Sequence, residues 1–379
     1  MKLGTLLSMA AMAVMGMGLA LPAQAADPIK IGVYLPLTGQ NAFGGQLELE
    51  GIQLAHKLKP TVLDRPVELV VVDNKSDKVE AANAVKRLAE RDNVTAIIGT
   101  YASSLSLAGG EVAERAKVPV LATSSTNPLV TQGKKYYFRA CFIDPYQGKK
   151  MADYAVEKLS AKTAAIFYQT GSDYSEGLMN AFAEEAKAIG LEIVDTEAFA
   201  EGDKDFKAQM TNIAAKAPDV VFAPIYYAEA GLAITAARAA GCTATFMGGD
   251  GFGSVKNYAS ADDLEGSVYC SGYAPGTDSV KQFEEDYKAA YNVDEIPNMF
   301  APLAYDAAML LCEGLKAAEA QGLTAGTDEY KQAVIDAIKT MDGTEGITGS
   351  YAFDEFNNPI KPVAIIELTG GNEVYQEMF

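Results

Sequence analysis

Short apolar runs alternate with segments of helical periodicity along the first third of the chain. Buried strands are predicted at 29–36, 67–73, 94–98 and 118–121, with helices at 43–58 and 77–91. In the second helix Val79, Ala82 and Val85 fall on one face, as helical spacing requires. Nearly continuous apolar strands are typical of a parallel sheet that helices cover on both faces. This part of the chain therefore predicts a doubly wound α/β lobe.

The same alternation begins again after Asp144-Pro145. Further strands are predicted at 163–168, 191–199, 219–224, 243–248 and 264–272. The segment VELVVVDNKSDKVEAANAVKRLAERDNVTAIIG parallels LEIVDTEAFAEGDKDFKAQMTNIAAKAPDVVFAP, so two similar lobes are expected. The chain is completed by helices at 278–291, 301–320 and 328–341, a Gly-rich connector at 343–349 and a last strand at 362–368. The sequence contains no low-complexity linker, which indicates several crossings between the lobes and hence a hinge.

Residues 1–25 have the pattern of a secretory signal peptide. Lys2 precedes an apolar run at 6–21, and Ala23-Gln24-Ala25 offers a small-residue cleavage site. We expect cleavage rather than a retained anchor, and no lipid attachment because no Cys lies near the cut. No other stretch of the sequence is apolar for long enough to span a bilayer. The expected mature protein is soluble and exported, without direct membrane insertion.

Charge and cysteine content narrow the classes of partner. The net charge is −19 and becomes −20 when the signal, with its one Lys, is removed, which disfavours nucleic acid and anionic lipid. Cys141, Cys242, Cys270 and Cys312 are spaced too widely for a metal motif. Cys312 lies in an apolar helical run and is expected to be a buried thiol. A disulfide between Cys242 and Cys270 is kept as an alternative to free thiols, because these residues flank neighbouring predicted strands.

Enzyme signatures are missing from the sequence. His56 is the single histidine, which nearly excludes catalytic dyads that need His and His-rich metal sites. There is no Gly-x-Ser-x-Gly elbow, no Gly-x-x-x-x-Gly-Lys-Ser/Thr loop and no His-Glu-x-x-His motif. We therefore predict no catalytic residue, no metal site and no cofactor.

Two hydroxyl-rich loops follow neighbouring predicted strands and are expected to open helices. They are Thr100-Tyr101-Ala102-Ser103-Ser104 and Thr123-Ser124-Ser125-Thr126. A helix start offers free N–H groups and the positive end of a dipole, which suits an anion. Ligands of open α/β sheets bind off the carboxyl ends of strands. We interpret the two loops as the cradle of a ligand carboxylate, with helix capping by the same residues as the alternative.

The strand ends of the second lobe carry Tyr174, Tyr226-Tyr227 and Asp250. Asp250 lies in a Gly-rich segment without a nearby Lys, which argues against phosphate and for a cationic group; a turn residue is the alternative. Tyr174 is either a helix-face aromatic or a cover over the ligand. Of the two adjacent tyrosines, only one is expected to face the cleft. Asp173 with Glu176 resembles a capping box.

Several segments, in this order, resemble the periplasmic solute-binding proteins of branched-chain amino acid ABC transporters, which are type I periplasmic binding proteins. They are IGVYLPLTG, AIIGTYASS, SSTNPLVTQGKKYYFRACFIDPYQGKKMADY, YSEGL, VVFAPIYYAEAG and FMGGDGFG. The resemblance covers essentially the whole mature chain. It implies an α/β fold of two doubly wound parallel-sheet lobes joined by a multi-strand hinge. It also implies a carboxylate-binding lobe of residues 27–143 plus 274–352 and an ammonium-binding lobe of residues 144–273 plus 353–379.

The resemblance also implies a set of ligand contacts. It matches Ser103, Ser124 and Thr126 to the carboxylate, Asp250 and Tyr226 to the ammonium, Tyr174 to a cover, and Phe43 and Tyr101 to the ligand side chain. Ser124 would act through its backbone and Thr126 through its hydroxyl or N–H. The family can have Glu where Asp250 stands. Tyr101 is bulkier, and Ala102 smaller, than the residues usual at these two positions in leucine binders.

The implied function is capture of an amino acid, most simply Leu, Ile or Val, between closing lobes and its delivery to an ABC permease by a monomeric, non-enzymatic protein. The alternatives are another ligand of the same fold (an aromatic acid, amide, urea or polyamine), a ligand-sensing module, and an exported hydrolase. Asp250 opposite a carboxylate cradle favours a zwitterion, because a simple acid would leave that aspartate unpaired at a cost in free energy.

Overall fold

A computed structural model describes residues 27–379, and its first β-sheet lies in the N-terminal third of the chain. The strands are β1 (Ile29–Leu35), β2 (Thr61–Val62), β3 (Arg65–Asp73), β4 (Ala96–Ile98), β5 (Val120–Ala122) and β6 (Tyr137–Arg139). Their order is β2-β3-β1-β4-β5-β6, parallel except for the β2–β3 hairpin. The helices are α1 (Ala42–Leu58), α2 (Lys78–Lys86, continued by a π-helical turn Arg87–Arg91) and α3 (Ser103–Ala116).

The second sheet has seven strands in the order β15-β14-β11-β10-β9-β7-β8. In chain order the remaining strands are β7 (Thr163–Gln169), β8 (Glu192–Phe199), β9 (Val220–Ala223), β10 (Thr245–Gly248), β11 (Val268–Ser271), the hairpin strands β12 (Thr344–Gly346) and β13 (Gly349–Tyr351), β14 (Ala364–Thr369) and β15 (Asn372–Met378). Strands β7 to β11 are parallel, whereas β14 and β15 run antiparallel to their neighbours.

The helices of the second half divide between the two sheets. They are α4 (Asp144–Glu157), α5 (Asp173–Ile189), α6 (Lys207–Lys216), α7 (Tyr227–Ala239), α8 (Ala261–Leu264), α9 (Lys281–Tyr291), α10 (Phe300–Ala320) and α11 (Asp328–Lys339). Helix α4 packs on α5, whereas α10 packs on α1 and α11 and therefore covers the first sheet. Gly51 allows this approach, because a Cβ there would lie 2.1 Å from the Ala301 carbonyl oxygen.

The chain passes between the two sheets at 140–143, 272–280 and 352–363. The predicted fold class is thus confirmed: two doubly wound α/β lobes are joined by a hinge of several segments. The core of each lobe consists of inward-facing strand residues and the apolar faces of its helices, as the continuous apolar strands predicted. The predicted boundaries between the lobes stay a prediction.

Some local predictions were wrong. Segment 362–368 is not the last strand, since β15 follows it; this edge strand alternates exposed with half-buried residues, and Glu373 and Glu377 make it too polar to read as buried. The connector at 343–349 contributes to the β12–β13 hairpin. Helix α5 is capped by Ser172, whose hydroxyl accepts from the Ser175 N–H, so Asp173 is not the cap.

The cysteines form no disulfide among residues 27–379. Cys242 precedes β10, whereas Cys270 lies towards the carboxyl end of β11. Because β10 and β11 are parallel, with Met247 opposite Val268, the two thiols fall towards opposite ends of the sheet. Cys312, expected to be buried, is half-buried.

Candidate functional site

The first wall of the candidate site is built from the loops that follow β4 and β5. Ser103 is the first residue of α3, and its hydroxyl oxygen accepts a hydrogen bond of 3.1 Å from the Asn127 N–H, which ties the two loops together. The Thr126 hydroxyl is buried and has no hydrogen-bond partner among residues 27–379. A buried hydroxyl without a partner is costly, so this atom is available to a ligand.

Ser124, in the same loop, uses its hydroxyl in a contact within the protein. Its side chain donates a hydrogen bond of 2.5 Å to Oε1 of Glu48, a fully buried residue of α1. Burial raises the pKa of Glu48 to about 8, against the opposing hydrogen bonds of Ser124 and Thr123. The Ser124 side chain is thereby occupied, which leaves its backbone as the part that a ligand can contact.

The second loop does not open an α-helix, contrary to the prediction. It leads into a three-residue 3-10 turn, Pro128–Val130, which is capped by the Asn127 side chain. So short a turn has almost no dipole, because the dipole sums over aligned peptide units. Of the two loops, the first leads into an α-helix, α3, whereas the second can offer individual N–H and O–H donors.

The second wall is centred on Asp250, which follows β10 and is 3% exposed. Its N–H donates to Oε1 of Gln147 over 3.1 Å, and the next N–H, of Gly251, donates to the Tyr174 hydroxyl over 3.0 Å. Its Oδ1 has no partner among the described residues. Burial raises the pKa of Asp250 to about 6, against opposing hydrogen bonds from Tyr174 and Gln147.

Asp144 is a second buried carboxyl group in this wall, and the sequence reasoning placed it only at the crossover between lobes. It begins α4 and has no exposed surface. Gln147 Nε2 donates to its Oδ1 over 2.9 Å, while its Oδ2 has no partner within residues 27–379. Burial, together with the nearby Asp250, raises the pKa of Asp144 to about 7, against opposing interactions with Thr126 and Gln147. Gln147 therefore joins Asp144 to the Asp250 backbone.

A sequence signal for this pair was present. Gln147 lies in a helix predicted at 146–159, three positions after Asp144; because the helix of the structure begins at Asp144, the two side chains share a face. Gly177 of α5 allows that face to approach, because a Cβ there would lie 3.3 Å from Asp144 Oδ2 and 2.9 Å from Asn127 Nδ2.

Aromatic rings fill the space between the walls. Tyr174 and Tyr226 stack with centroids 4.9 Å apart, and Tyr226 contacts Tyr101 of the opposite lobe at 5.3 Å. Tyr101 also meets Phe300, the first residue of α10, edge to face at 4.9 Å. Phe300 was missed, since a Phe opening an apolar helix resembles an ordinary core residue. Gly44 is needed beside this group, because a Cβ there would lie 2.6 Å from the Tyr101 ring.

Both adjacent tyrosines contact the opposite lobe, so the expectation that only one faces the cleft was wrong. Tyr227 accepts a hydrogen bond of 3.2 Å from the Gly44 N–H and packs edge to face on Phe43 at 5.5 Å. The two side chains diverge because Tyr226 is the N-cap of α7 and Tyr227 its first residue. Adjacent residues at such a junction do not alternate as they would in a strand.

The two walls are in direct contact, so the cleft is closed. The Ser104 hydroxyl donates to Asp173 Oδ2 over 2.6 Å, and Asn127 Nδ2 donates to the Asp173 carbonyl oxygen over 2.8 Å. A cavity of about 210 Å³ lies at the edge of this contact, beside Ala102, Ser104 and Tyr226. A larger cavity of about 450 Å³ near Tyr269 and Tyr375 is not lined by any of the unpartnered buried side-chain atoms found in residues 27–379.

The predicted contact residues thus lie on two facing walls: Phe43, Tyr101, Ser103, Ser124 and Thr126 on the first, and Tyr174, Tyr226 and Asp250 on the second. Their roles towards a ligand stay predictions. No group of three or more His, Cys, Asp or Glu side chains among residues 27–379 is arranged to hold a metal ion. Across the same residues, no helix combines the length and the apolar character needed to cross a bilayer.

A family model described as periplasmic binding protein matches residues 28–372. The chain belongs to the periplasmic binding protein family. Members of this family are extracytoplasmic substrate-binding proteins of transporters. An amino acid binding protein of Pseudomonas aeruginosa is 33% identical to this periplasmic binding protein; the match covers 65% of this chain and 66% of that protein, just under two thirds of its length.

Two solved structures resemble this periplasmic binding protein closely. The leucine binding protein LivK of Thermotoga maritima is 36% identical, with a TM-score of 0.86 over 93% of this chain and 98% of that one. The branched-chain amino acid transporter substrate binding protein LivJ of Streptococcus pneumoniae, in complex with isoleucine, is 32% identical. Its TM-score is 0.85, over 93% of this chain and 99% of that one. The predicted signal peptide lies outside the described residues.

Proposed function

We propose that this protein captures an aliphatic amino acid, most simply Leu, Ile or Val, between its lobes and presents it to an ABC permease. The lobes would comprise residues 27–143 with 274–352 and residues 144–273 with 353–379. Removal of residues 1–25 would release a monomer without a lipid anchor into the periplasm. The similarity to leucine- and isoleucine-binding relatives supports this ligand class.

The observation that carries the proposal is the pair of buried carboxyl groups, Asp144 and Asp250, each with an oxygen that lacks a hydrogen-bond partner among residues 27–379. Burying a carboxylate without a cation is costly, and the ammonium of an amino acid would offset that cost. Tyr174 and Tyr226 flank Asp250 and would cover the ammonium from water. An aromatic acid would leave both carboxyl groups unpaired, which argues against that alternative.

The carboxylate of the ligand would meet the opposite wall. Ser103, the backbone of Ser124 and Thr126 supply O–H and N–H donors there. Each hydrogen bond to a charged group contributes roughly 1.5–3 kcal/mol. Four or five such bonds supply the ~8 kcal/mol of micromolar binding after the free-energy cost of closing the lobes has been subtracted. Phe43, Tyr101 and Phe300 would line the side-chain end, where their rings favour an aliphatic group.

Binding alone accounts for this site, so we infer that the protein is not an enzyme. The ligand would contact both walls at once and therefore favour the closed form over the open one. Closure would then be the signal that a permease reads. A sensing role would use the same closure with a different membrane partner, and a stimulated ATPase activity of a reconstituted permease would separate the two.

The first test is a calorimetric screen of the mature protein with the twenty amino acids, benzoate and simple amides. We expect micromolar binding of at least one of Leu, Ile and Val, and loss of roughly a hundredfold or more in affinity in Asp250→Ala, because a charge-pairing partner is removed. Asp342→Ala, at an exposed position of the first lobe, is the control and should bind normally. Binding of benzoate but no amino acid, or unaltered affinity in Asp250→Ala, would refute the proposal.

A further inference from the structure

The Arg139 side chain is a fully buried cation at the end of β6. Its Nη1 donates to the Ser125 carbonyl oxygen over 2.7 Å. Its Nη2 donates to the carbonyl oxygens of Asn127 and Pro128 over 2.8 and 3.3 Å, and to the Thr131 hydroxyl over 2.9 Å. All four acceptors are neutral. Arg139 is thus tied to the loop that we propose as part of the carboxylate cradle.

No carboxylate pairs with this guanidinium among residues 27–379. The arginines that form ion pairs in this part of the chain are Arg65 and Arg87. Desolvation lowers the pKa of Arg139, and Asp144 is the acidic residue whose charge opposes this shift. A guanidinium nevertheless stays protonated in proteins. Asp144 acts on it only at a distance, so the guanidinium has no directly paired carboxylate among residues 27–379, and a buried charge without a direct partner is expensive.

The hydrogen bond from Arg139 to the Ser125 carbonyl fixes the orientation of the peptide unit between Ser125 and Thr126. In a trans peptide unit the C=O and the N–H point in opposite directions. Because the Ser125 C=O points at Arg139, the Thr126 N–H points to the other side of the loop. No backbone carbonyl of residues 27–379 accepts from that N–H. The Cys141 thiol also donates to the Ser125 carbonyl, over 3.3 Å, and strengthens the same orientation.

We propose that Arg139 is a positioning residue that makes the cradle selective for an anion. Its planar fork holds the carbonyls of residues 125, 127 and 128 on the far side of the loop, and its charge acts through that loop on the ligand carboxylate. A ligand carboxylate is then the counter-ion that Arg139 lacks within the protein. Lysine would keep the charge but lose the fork, so the two contributions are separable. This inference rests on the proposed function and adds a residue that makes the site selective for ligands with a carboxylate.

The test compares L-leucine with L-leucinamide, which keeps the side chain and the ammonium but has no negative charge. Calorimetry on the full mature protein should show that Arg139→Gln weakens leucine binding at least about tenfold and leucinamide binding less than about threefold. Arg139→Lys should fall between the unaltered protein and Arg139→Gln for leucine. A purely structural role would instead weaken both ligands by the same factor, so the ratio of the two affinities is the decisive readout.

Arg238→Gln is the matched control. Arg238 also donates to backbone carbonyls, of Asp263, Cys242 and Ala244, but at the end of β10 away from Asp250. We expect this variant to lose stability and keep the leucine-to-leucinamide ratio. If Arg139→Gln does not fold, the ratio in Arg139→Lys decides. An unaltered ratio in a folded Arg139 variant overturns this inference alone, whereas no amino acid binding by the unaltered protein overturns the proposed function as well.

Discussion

At the scale of single residues, the proposed site contains carboxyl groups whose burial lowers the stability of the ligand-free protein. Asp144 and Asp250 are buried, and burial raises the pKa of Asp250 to about 6 and that of Asp144 to about 7. Glu48 lies under the opposite wall, and its Oε2 has no hydrogen-bond partner in the described part of the chain. Such groups reduce the stability of the empty protein and become favourable when a ligand pairs with them.

Because the buried Asp250 lowers stability but favours ligand binding, we predict that Asp250→Asn stabilises the ligand-free protein and weakens ligand binding. The pKa of Asp250 is raised from its ordinary 3.8 to about 6, so the folded state holds the proton more tightly than the unfolded state. Stability is therefore greatest at low pH and falls as pH rises from 3.8 to about 6. Above that range a penalty on the order of 1–3 kcal/mol persists, and Asn removes it.

Urea unfolding of the two proteins at pH 8 and pH 5 checks this expectation. The free energy of unfolding of Asp250→Asn should exceed that of the unaltered protein at pH 8, and the difference should shrink at pH 5. Equal values at pH 8 would mean that the closed, buried state of Asp250 does not represent the ligand-free protein.

At the scale of elements, two helix N-termini face each other across the cleft. Helix α3 begins at Ser103 in the first lobe and α5 at Asp173 in the second. Both ends carry positive partial charge and would repel each other without an intervening anion. The Asp173 carboxylate supplies it: Oδ2 accepts from the Ser104 hydroxyl and lies 3.5 Å from Lys78 Nζ. These contacts hold the lobes together beside the ligand rather than through it.

We therefore expect Ser104→Ala to weaken amino acid affinity by roughly threefold to tenfold. One hydrogen bond is lost from the closed form, and it contributes less than a buried one because the Asp173 side chain is 39% exposed. Ser260→Ala is the comparison, because Ser260 caps α8 through the Asp263 N–H, a bond that lies within the second lobe. It should lower thermal stability and leave calorimetric affinity intact; the opposite pattern would contradict the proposed contact.

At the scale of the whole molecule, buried polar contacts connect the segments that pass between the lobes. Lys361 lies in the last crossover and is 3% exposed; its Nζ donates to the Ala140 carbonyl oxygen in the first crossover over 3.2 Å. The same ammonium donates to the Tyr351 hydroxyl over 2.7 Å, and Tyr351 donates to Asp306 of α10. The hinge is thus a packed polar unit anchored to the first lobe, and not a set of independent strands.

Lys361→Met should lower the free energy of unfolding by about 2–4 kcal/mol, because it removes the cation from a buried network that contains a carboxylate. Chemical denaturation at pH 7 measures this, with Lys187→Met, at an exposed position of α5, as the control. A loss no larger than that of the control would show that the hinge does not depend on this network.

Periodicity was sufficient to predict most of the fold. The apolar runs that became β1, β4, β7 and β9 are buried on both faces, so their sequence pattern carries little ambiguity, whereas β3 is mostly half-buried. The failures fell where burial is partial or the turn is short. Strand β15 is an exposed edge, and the segment after Thr126 forms a 3-10 turn that a cap signal with Pro128 cannot distinguish from a helix start.

The candidate site divides in the same way. Residue type and position at strand ends were enough to single out Ser103, Thr126, Tyr174 and Asp250, because the carboxyl ends of parallel strands share one edge of a sheet. The link from Asp144 through Gln147 to Asp250 and the carbonyl contacts of Arg139 emerged only in the folded chain. These contacts join residues distant in sequence, and periodicity describes only near neighbours along the chain. The local sequence pattern decides which elements form. How those elements pack decides which carboxyl groups and arginines are removed from water without a charged partner.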